Sequence, residues 1–349
     1  MGISAPMKPY KTVLVGCGSI SNSWMKACQD IPQIEICGLV DLNLANAKKT
    51  AEMYNLGEAF LNDTLTAALN TCQPDVVFDT TVPGAHKPVT LEALAFGCHV
   101  LGEKPMAETY EDACDMVKAA RASGNIYAVI QNRRYDKRVR TVEAALRSGV
   151  IGDLHTVNSD FYIGAHFGGF RDVMDHVLLL DMAIHTFDAA RFLSGANATD
   201  VYCHEHNPAS SWYKHGASAT AVFQMTDGIT YNYRGSWCAE GLPTTWECDW
   251  RFIGDKGTLL WDGKDEIKVE VVSSEEGFIR DVEPADTDWV DWEESHNGHG
   301  GLIRDFVDAL DSGLPPLTHC EDNIRSLAMV FGAIGSAVNG QKQPVPAHP

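Results

Sequence analysis

The feature that most constrains this chain is a glycine turn, Gly16-Cys17-Gly18-Ser19-Ile20-Ser21, set directly after an apolar run at 12–15 and before a helical stretch at 22–30. A second apolar run, 34–40, ends in Asp41. Buried strand, glycine turn, helix and second strand make a βαβ unit. The first two glycines of a G-x-G-x-x-G pattern let backbone approach a pyrophosphate, whose charge a helix N-terminus favours. Ser21 stands where the third glycine would be. Asp41 lies where a carboxylate accepts both ribose hydroxyls and repels a 2′-phosphate, and no arginine follows it directly, so NAD is expected rather than NADP. A plain turn or N-cap role is the competing reading of Asp41.

The same rhythm continues with helices near 45–54, after Pro88 and at 110–123, and strands at 75–79, 99–102 and 126–131. Strands alternating with helices of this length predict a doubly wound parallel sheet, so an α/β Rossmann domain is expected over 1–132. The rhythm then changes. A helix at 139–148, a strand at 154–162 and an apolar helix at 177–193 precede strand-like runs at 201–205, 218–225, 229–237, 246–253, 257–261 and 267–272. Turns such as Thr226-Asp227-Gly228 separate them, which predicts an α+β domain over 133–349 with a large, mostly antiparallel open sheet. Helices at 301–312 and 322–339 close the chain.

With 349 residues two domains are expected. The 27 basic against 47 acidic side chains give a formal charge of −20, which repels nucleic acid and anionic lipid. Nine carboxylates between Glu275 and Glu294 read as a solvated acidic loop. Ten cysteines without a C-x-x-C pair fit reduced thiols in a cytoplasmic protein. Residues 1–10 have no apolar leader core, Pro6 stands where myristoylation needs Ser or Thr, and no run of 18 apolar residues occurs. His204 and His206 share a strand face and His296 and His299 a loop, without a suitably spaced third ligand, so no metal is expected.

Further motifs carry a family resemblance. Residues 81–86 are similar to T-P-N-x-x-H, and Gly97-Cys98-His99-Val100-Leu101-Gly102-Glu103-Lys104-Pro105 resembles G-K-H-V-L-x-E-K-P. Asn132-Arg133-Arg134-Tyr135, residues 149–152, Asp181-Met182-Ala183-Ile184-His185 and a G-x-x-G-T-L-like stretch at 254–259 follow. Together these resemble the glucose-fructose oxidoreductase, inositol dehydrogenase and MocA family, Gfo/Idh/MocA. The resemblance implies an NAD-dependent oxidoreductase acting on a sugar, polyol or sugar derivative, with the nicotinamide between two domains and the open sheet as an oligomer interface. Gly16, Gly18, Ser19 and Ile20 would hold the pyrophosphate and Asp41 the adenosine ribose. Thr81, Pro83 and His86 would line the cofactor cleft, with Glu103 and Lys104 near the nicotinamide ribose. The chain departs from the family pattern at Val82, at Ser21 and at Asp175-His176-Val177, where a run of glycines is common.

Oxidising an alcohol requires a base for its hydroxyl proton. His185 fits, with Asp181 four residues earlier on one helical face to orient the imidazole or hold a neighbouring hydroxyl. Lys104 would place a cation on the developing alkoxide. Arg134, Tyr162 and His176 are further candidate substrate contacts. A homodimer or homotetramer is expected, because the second sheet would otherwise expose a broad aromatic face. A redox-assisted glycoside hydrolase and a cofactor-sensing regulator are the alternative functions.

Overall fold

The computed structural model describes residues 8–349; the leader and myristoylation readings fall mostly on 1–7, outside them. Two compact units emerge. The first comprises the described part of Met1–Asn132 with Glu293–Ile324 and His348–Pro349, and the second Arg133–Trp292 with Arg325–Ala347.

In the first unit, strands β1 (Tyr10–Val15), β2 (Ile34–Val40), β3 (Phe60–Asn62), β4 (Val76–Asp79), β5 (His99–Gly102) and β6 (Tyr127–Val129) form one parallel sheet in the order β3-β2-β1-β4-β5-β6. This is the doubly wound dinucleotide-binding order, with its switch point between β1 and β4. Strand residues Val13, Leu14, Val76, Val77, Phe78, Val100 and Leu101 are fully buried, as parallel strands covered on both faces require. The crossovers are helices α1 (Ser21–Cys28), α2 (Leu44–Met53), α3 (Leu65–Cys72), α4 (Pro83–Phe96) and α5 (Tyr110–Ser123). Asn43 caps α2 and Thr109 caps α5, whose first turn carries Glu111 and Asp112. Helix α4 starts at Pro83 and runs through Pro88, five residues earlier than the proline suggests.

Helix α8 (Gly298–Ser312) and the start of α9 (Cys320–Asn339) return to this unit, which corrects the expectation that 133–349 form one domain. The reason is packing: α8 lies on α1, Phe306 meets Phe78 at 6.5 Å between ring centroids, and Leu302, Ile303 and Phe306 are fully buried. Tyr10 donates to Asp311, and Arg304 to the Asp30 carbonyl.

The second unit is built on α6 (Lys137–Arg147), β7 (Leu154–Tyr162), α7 (Ile184–Ser194), β8 (Ala198–His206), β9 (Ser218–Met225), β10 (Thr230–Ser236), β11 (Asp249–Gly254), β12 (Gly257–Trp261), β13 (Ile267–Val272), β14 (Val282–Pro284), β15 (Gln343–Pro344) and the rest of α9. The nine strands run β14-β13-β12-β11-β7-β10-β9-β8-β15, antiparallel except for the β7–β10 pair. Alternation sends Phe161, Phe223, Tyr231, Tyr233, Trp250, Phe252 and Trp261 inward, where Phe187 of α7 packs edge-on to Phe223, Tyr231 and Tyr233.

The open face is polar instead. Asn232 donates to Asn158, and Arg234 pairs with Asp160 through two bonds of 2.5 and 2.6 Å. A hollow of about 510 Å³ on this face is lined by these four residues with Asp249 and Arg251, and it holds none of the expected site residues. The expected aromatic open face is therefore corrected: the period of two buries those rings. Among the described residues, no helix is long and apolar enough to cross a membrane.

Candidate active site

At the switch point the β1–α1 turn meets the β4–α4 turn. Gly16 has φ +91, and a Cβ there would lie 2.7 Å from the Thr80 carbonyl oxygen, so only glycine fits. Thr80 in turn donates to the Gly16 carbonyl at 2.5 Å. A Cβ on Gly18 would meet nothing within 4 Å, so nothing in the fold asks for glycine there. Ser19 and Ile20 are exposed, and Ser21 is buried with its hydroxyl donating 2.6 Å to the Gly18 carbonyl. That bond gives the third position of the motif an internal task and explains why serine fits.

The first turn of α1 carries no acidic residue, leaving its positive end to an incoming anion. The Asp41 carboxylate accepts from the backbone N–H of Cys17 at 2.8 Å, of Asn43 at 2.8 Å and from Asn46 at 3.1 Å. It is a turn residue and also stands, half-buried, at the edge of the glycine cradle. Ile20, Leu42 and Val82 follow on the turns after β1, β2 and β4 as exposed apolar side chains. The open cradle, the bare helix end and this apolar rim fit a dinucleotide.

Asp79 ends β4 fully buried. One of its oxygens accepts from the Thr81 N–H at 3.0 Å and hydroxyl at 2.6 Å, and the other lies 3.0 Å from His86 Nδ1. His86 is 1% exposed, so it braces the turn from within, and Thr81, Val82 and Pro83 are its outward residues. Glu103, also buried, accepts from the Trp24 indole at 2.8 Å and from the Lys104 N–H at 3.1 Å, with His299 Nε2 4.0 Å away. Half-buried Lys104 precedes a cis bond to Pro105. Asp79, Thr80, Trp24 and His299 were not legible as site residues, since each acts through a partner 64 to 196 residues away or through a buried turn.

In the second unit, Leu178–Ala183 is a π-helical turn that passes directly into α7. Such turns concentrate at functional sites. Asp181 lies on the π turn and His185 on the first turn of α7, Asp181 buried and His185 half-buried. Arg171 reaches Asp181 with Nε at 2.5 Å and Nη2 at 3.5 Å.

The three candidate substrate contacts each have protein partners of their own. Arg134 is 4% exposed and bonds Asp188 through Nε and Nη2 at 2.8 and 2.5 Å, over the Phe192 ring. Ser326 donates to the same carboxylate. Tyr162 shares strand parity with Asn158 and Asp160, so it belongs to the open face, opposite the one on which α7 packs; burial and Asp160 raise its phenol pKa. His176, at φ +53, pairs with Glu205 at 2.5 Å. The His176 pKa is raised, chiefly by that hydrogen bond and against its burial.

A doubly wound sheet with an open glycine cradle, joined to a second unit on a nine-stranded sheet, defines a dinucleotide-dependent two-unit protein. Residues 10–131 match the model of the oxidoreductase family with an NAD-binding Rossmann fold, and 139–260 that of the GFO/IDH/MocA C-terminal domain. The chain belongs to the Gfo/Idh/MocA oxidoreductases, and its first unit is an NAD-binding Rossmann domain. An uncharacterized Sinorhizobium fredii protein, y4oX, is 30% identical over 95% of this chain and 94% of its own. The D-apiose dehydrogenase of Paraburkholderia graminis is 26% identical over 96% and 89%. An Agrobacterium radiobacter oxidoreductase solved with NAD+, L-tartaric acid and magnesium superposes with a TM-score of 0.84 at 22% identity, covering 97% of this chain and 99% of that one.

Proposed function

We propose that this oxidoreductase acts on a hydroxyl-bearing carbon of a sugar, polyol or sugar derivative, with His185 as proton acceptor. The observation that carries this reading is the Asp181–His185 spacing across a π-to-α junction, a place where ordinary helix geometry has been given up beside a histidine. Support also comes from the relatives named for sugar-type substrates, D-apiose dehydrogenase, D-glucoside 3-dehydrogenase and inositol 2-dehydrogenase.

Gly16, Gly18, Ser19 and Ile20 would hold the pyrophosphate, Asp41 the adenosine ribose, and Thr81, Pro83, Glu103 and Lys104 the rest of the cofactor. NAD, when bound, supplies the hydride acceptor or donor. In the oxidising direction the His185 imidazole takes the hydroxyl proton as the carbonyl forms. The Lys104 ammonium steadies negative charge on that oxygen. Asp181, acceptor-only when ionised, holds the imidazole or a neighbouring substrate hydroxyl in one orientation. In reduction the same proton returns from His185 to the oxygen.

The test is an NADH-absorbance screen over sugars, acidic sugars, polyols and glycosides, with product sugars analysed in parallel. Substrate-dependent NADH formation is expected. Free sugar released from glycosides without net NADH would replace this reading with redox-assisted glycoside hydrolysis.

A further inference from the structure

Between β7 and the π turn, residues 163–176 form a loop tied down along its length. The Ala165 carbonyl accepts from the Tyr213 hydroxyl at 2.7 Å and the Trp212 indole at 3.3 Å. The Asp172 carbonyl accepts from the Lys214 N–H at 2.8 Å, Asp175 pairs with His215 at 3.2 Å, and His176 pairs with Glu205. At its centre Arg171 stands on the short helical turn Gly169–Val173. Its guanidinium lies over the Phe167 and Phe170 rings, 5.1 and 4.7 Å from their centroids, and meets both oxygens of Asp181.

We propose that Arg171 is a positioning residue for the reaction: it selects one orientation of the Asp181 carboxylate and so makes the 163–176 loop part of the chemistry. The inference rests on the role given to Asp181 above. The last torsion of an aspartate is broad, so rotamer preference alone does not set the plane of its carboxylate. A planar fork meeting both oxygens removes that freedom, which a lysine point charge does not reproduce. The two phenylalanine rings hold the guanidinium by cation–π contact, so the geometry passes from loop to ring, from ring to fork, and from fork to carboxylate. Misplacing a reacting or orienting group by about 1 Å costs on the order of 10²-fold in rate.

The experiment compares Arg171→Ala, Arg171→Lys and Asp181→Asn on a substrate found by the screen, measuring kcat, KM, NAD affinity and rescue by added guanidinium ion. Expected for Arg171→Ala is a fall in kcat of about 10²-fold, with KM and NAD affinity changing much less and guanidinium restoring part of the turnover. Arg171→Lys, which keeps the charge and tests the case in which the alanine variant does not fold, stays well below wild type. Guanidinium does nothing for Asp181→Asn. Wild-type turnover in Arg171→Lys, or a loss in Arg171→Ala that guanidinium leaves untouched, overturns the positioning role while the Asp181 assignment stands. Wild-type turnover in Asp181→Asn removes the assignment itself.

Discussion

Gly16 and Gly18 are glycine for different reasons, and substitution separates them. Gly16→Ala puts a methyl into the Thr80 carbonyl at a positive φ, so loss of thermal stability or of soluble protein is expected. Gly18→Ala meets open space, so an unchanged melting temperature is expected with NAD bound roughly tenfold or more weakly by titration, about 1.4 kcal/mol. Equal NAD affinity in Gly18→Ala would mean that the cradle is used differently. For the catalytic group, His185→Ala is expected to lower turnover by about 10²- to 10⁴-fold with NAD affinity retained, and near wild-type turnover would reassign the base. Local motifs made Gly16, Gly18, Asp41, Lys104, Asp181 and His185 legible. Arg171 was not, because its meaning lies in a fold-dependent meeting with Asp181 that no spacing encodes.

Ion pairs inside the second unit set how its elements hold together. Arg134 of the segment before α6 is bound to Asp188 of α7, with both side chains under 5% exposed. Arg134→Met would leave the buried Asp188 carboxylate to Ser326 and to Arg191 at 4.0 Å, and a loss of about 1–3 kcal/mol in denaturant unfolding is expected, with KM for substrate unchanged. A raised KM at unaltered stability would return Arg134 to the substrate contacts. His176 and Glu205 tie the loop to β8, and the raised His176 pKa sets the sign of their pH dependence. Their contribution is complete below the ordinary histidine value of about 6.5 and is lost as pH rises through the raised folded value. The gap in unfolding free energy between wild type and Glu205→Gln, read by denaturant titration, should therefore be widest near pH 6, on the order of 1–2 kcal/mol, and shrink in alkali. A gap independent of pH would place the effect in packing. Periodicity revealed most long helices and strands. It missed β3, α3, β14 and β15, which are short, and it could not tell a π turn from an α turn, because both share one apolar pattern over residues 178–183.

At the scale of the whole chain, self-association through the open sheet face remains our proposal on grounds other than the expected aromatic surface, since that surface is buried. The face instead offers a polar hollow, with Tyr202 and Val222 exposed on β8 and β9. Sedimentation at micromolar concentration is expected to give a dimer or tetramer; a 38.1 kDa species alone would end the proposal. The Rossmann order was legible because each strand–helix repeat is local, whereas the return of 293–324 to the first unit was not, because no composition shift marks it. That return has a consequence for synthesis on the ribosome. Trp24, Phe78 and their neighbours are translated long before Phe306 and the rest of α8 that complete their core. The nascent Rossmann half must wait, with apolar surface uncovered, while some 160 intervening residues emerge. A segment made late, 293–324, is thus the one that completes the first unit's core, so a ribosome stalling before residue 293 would leave a chaperone client rather than a finished nucleotide-binding domain.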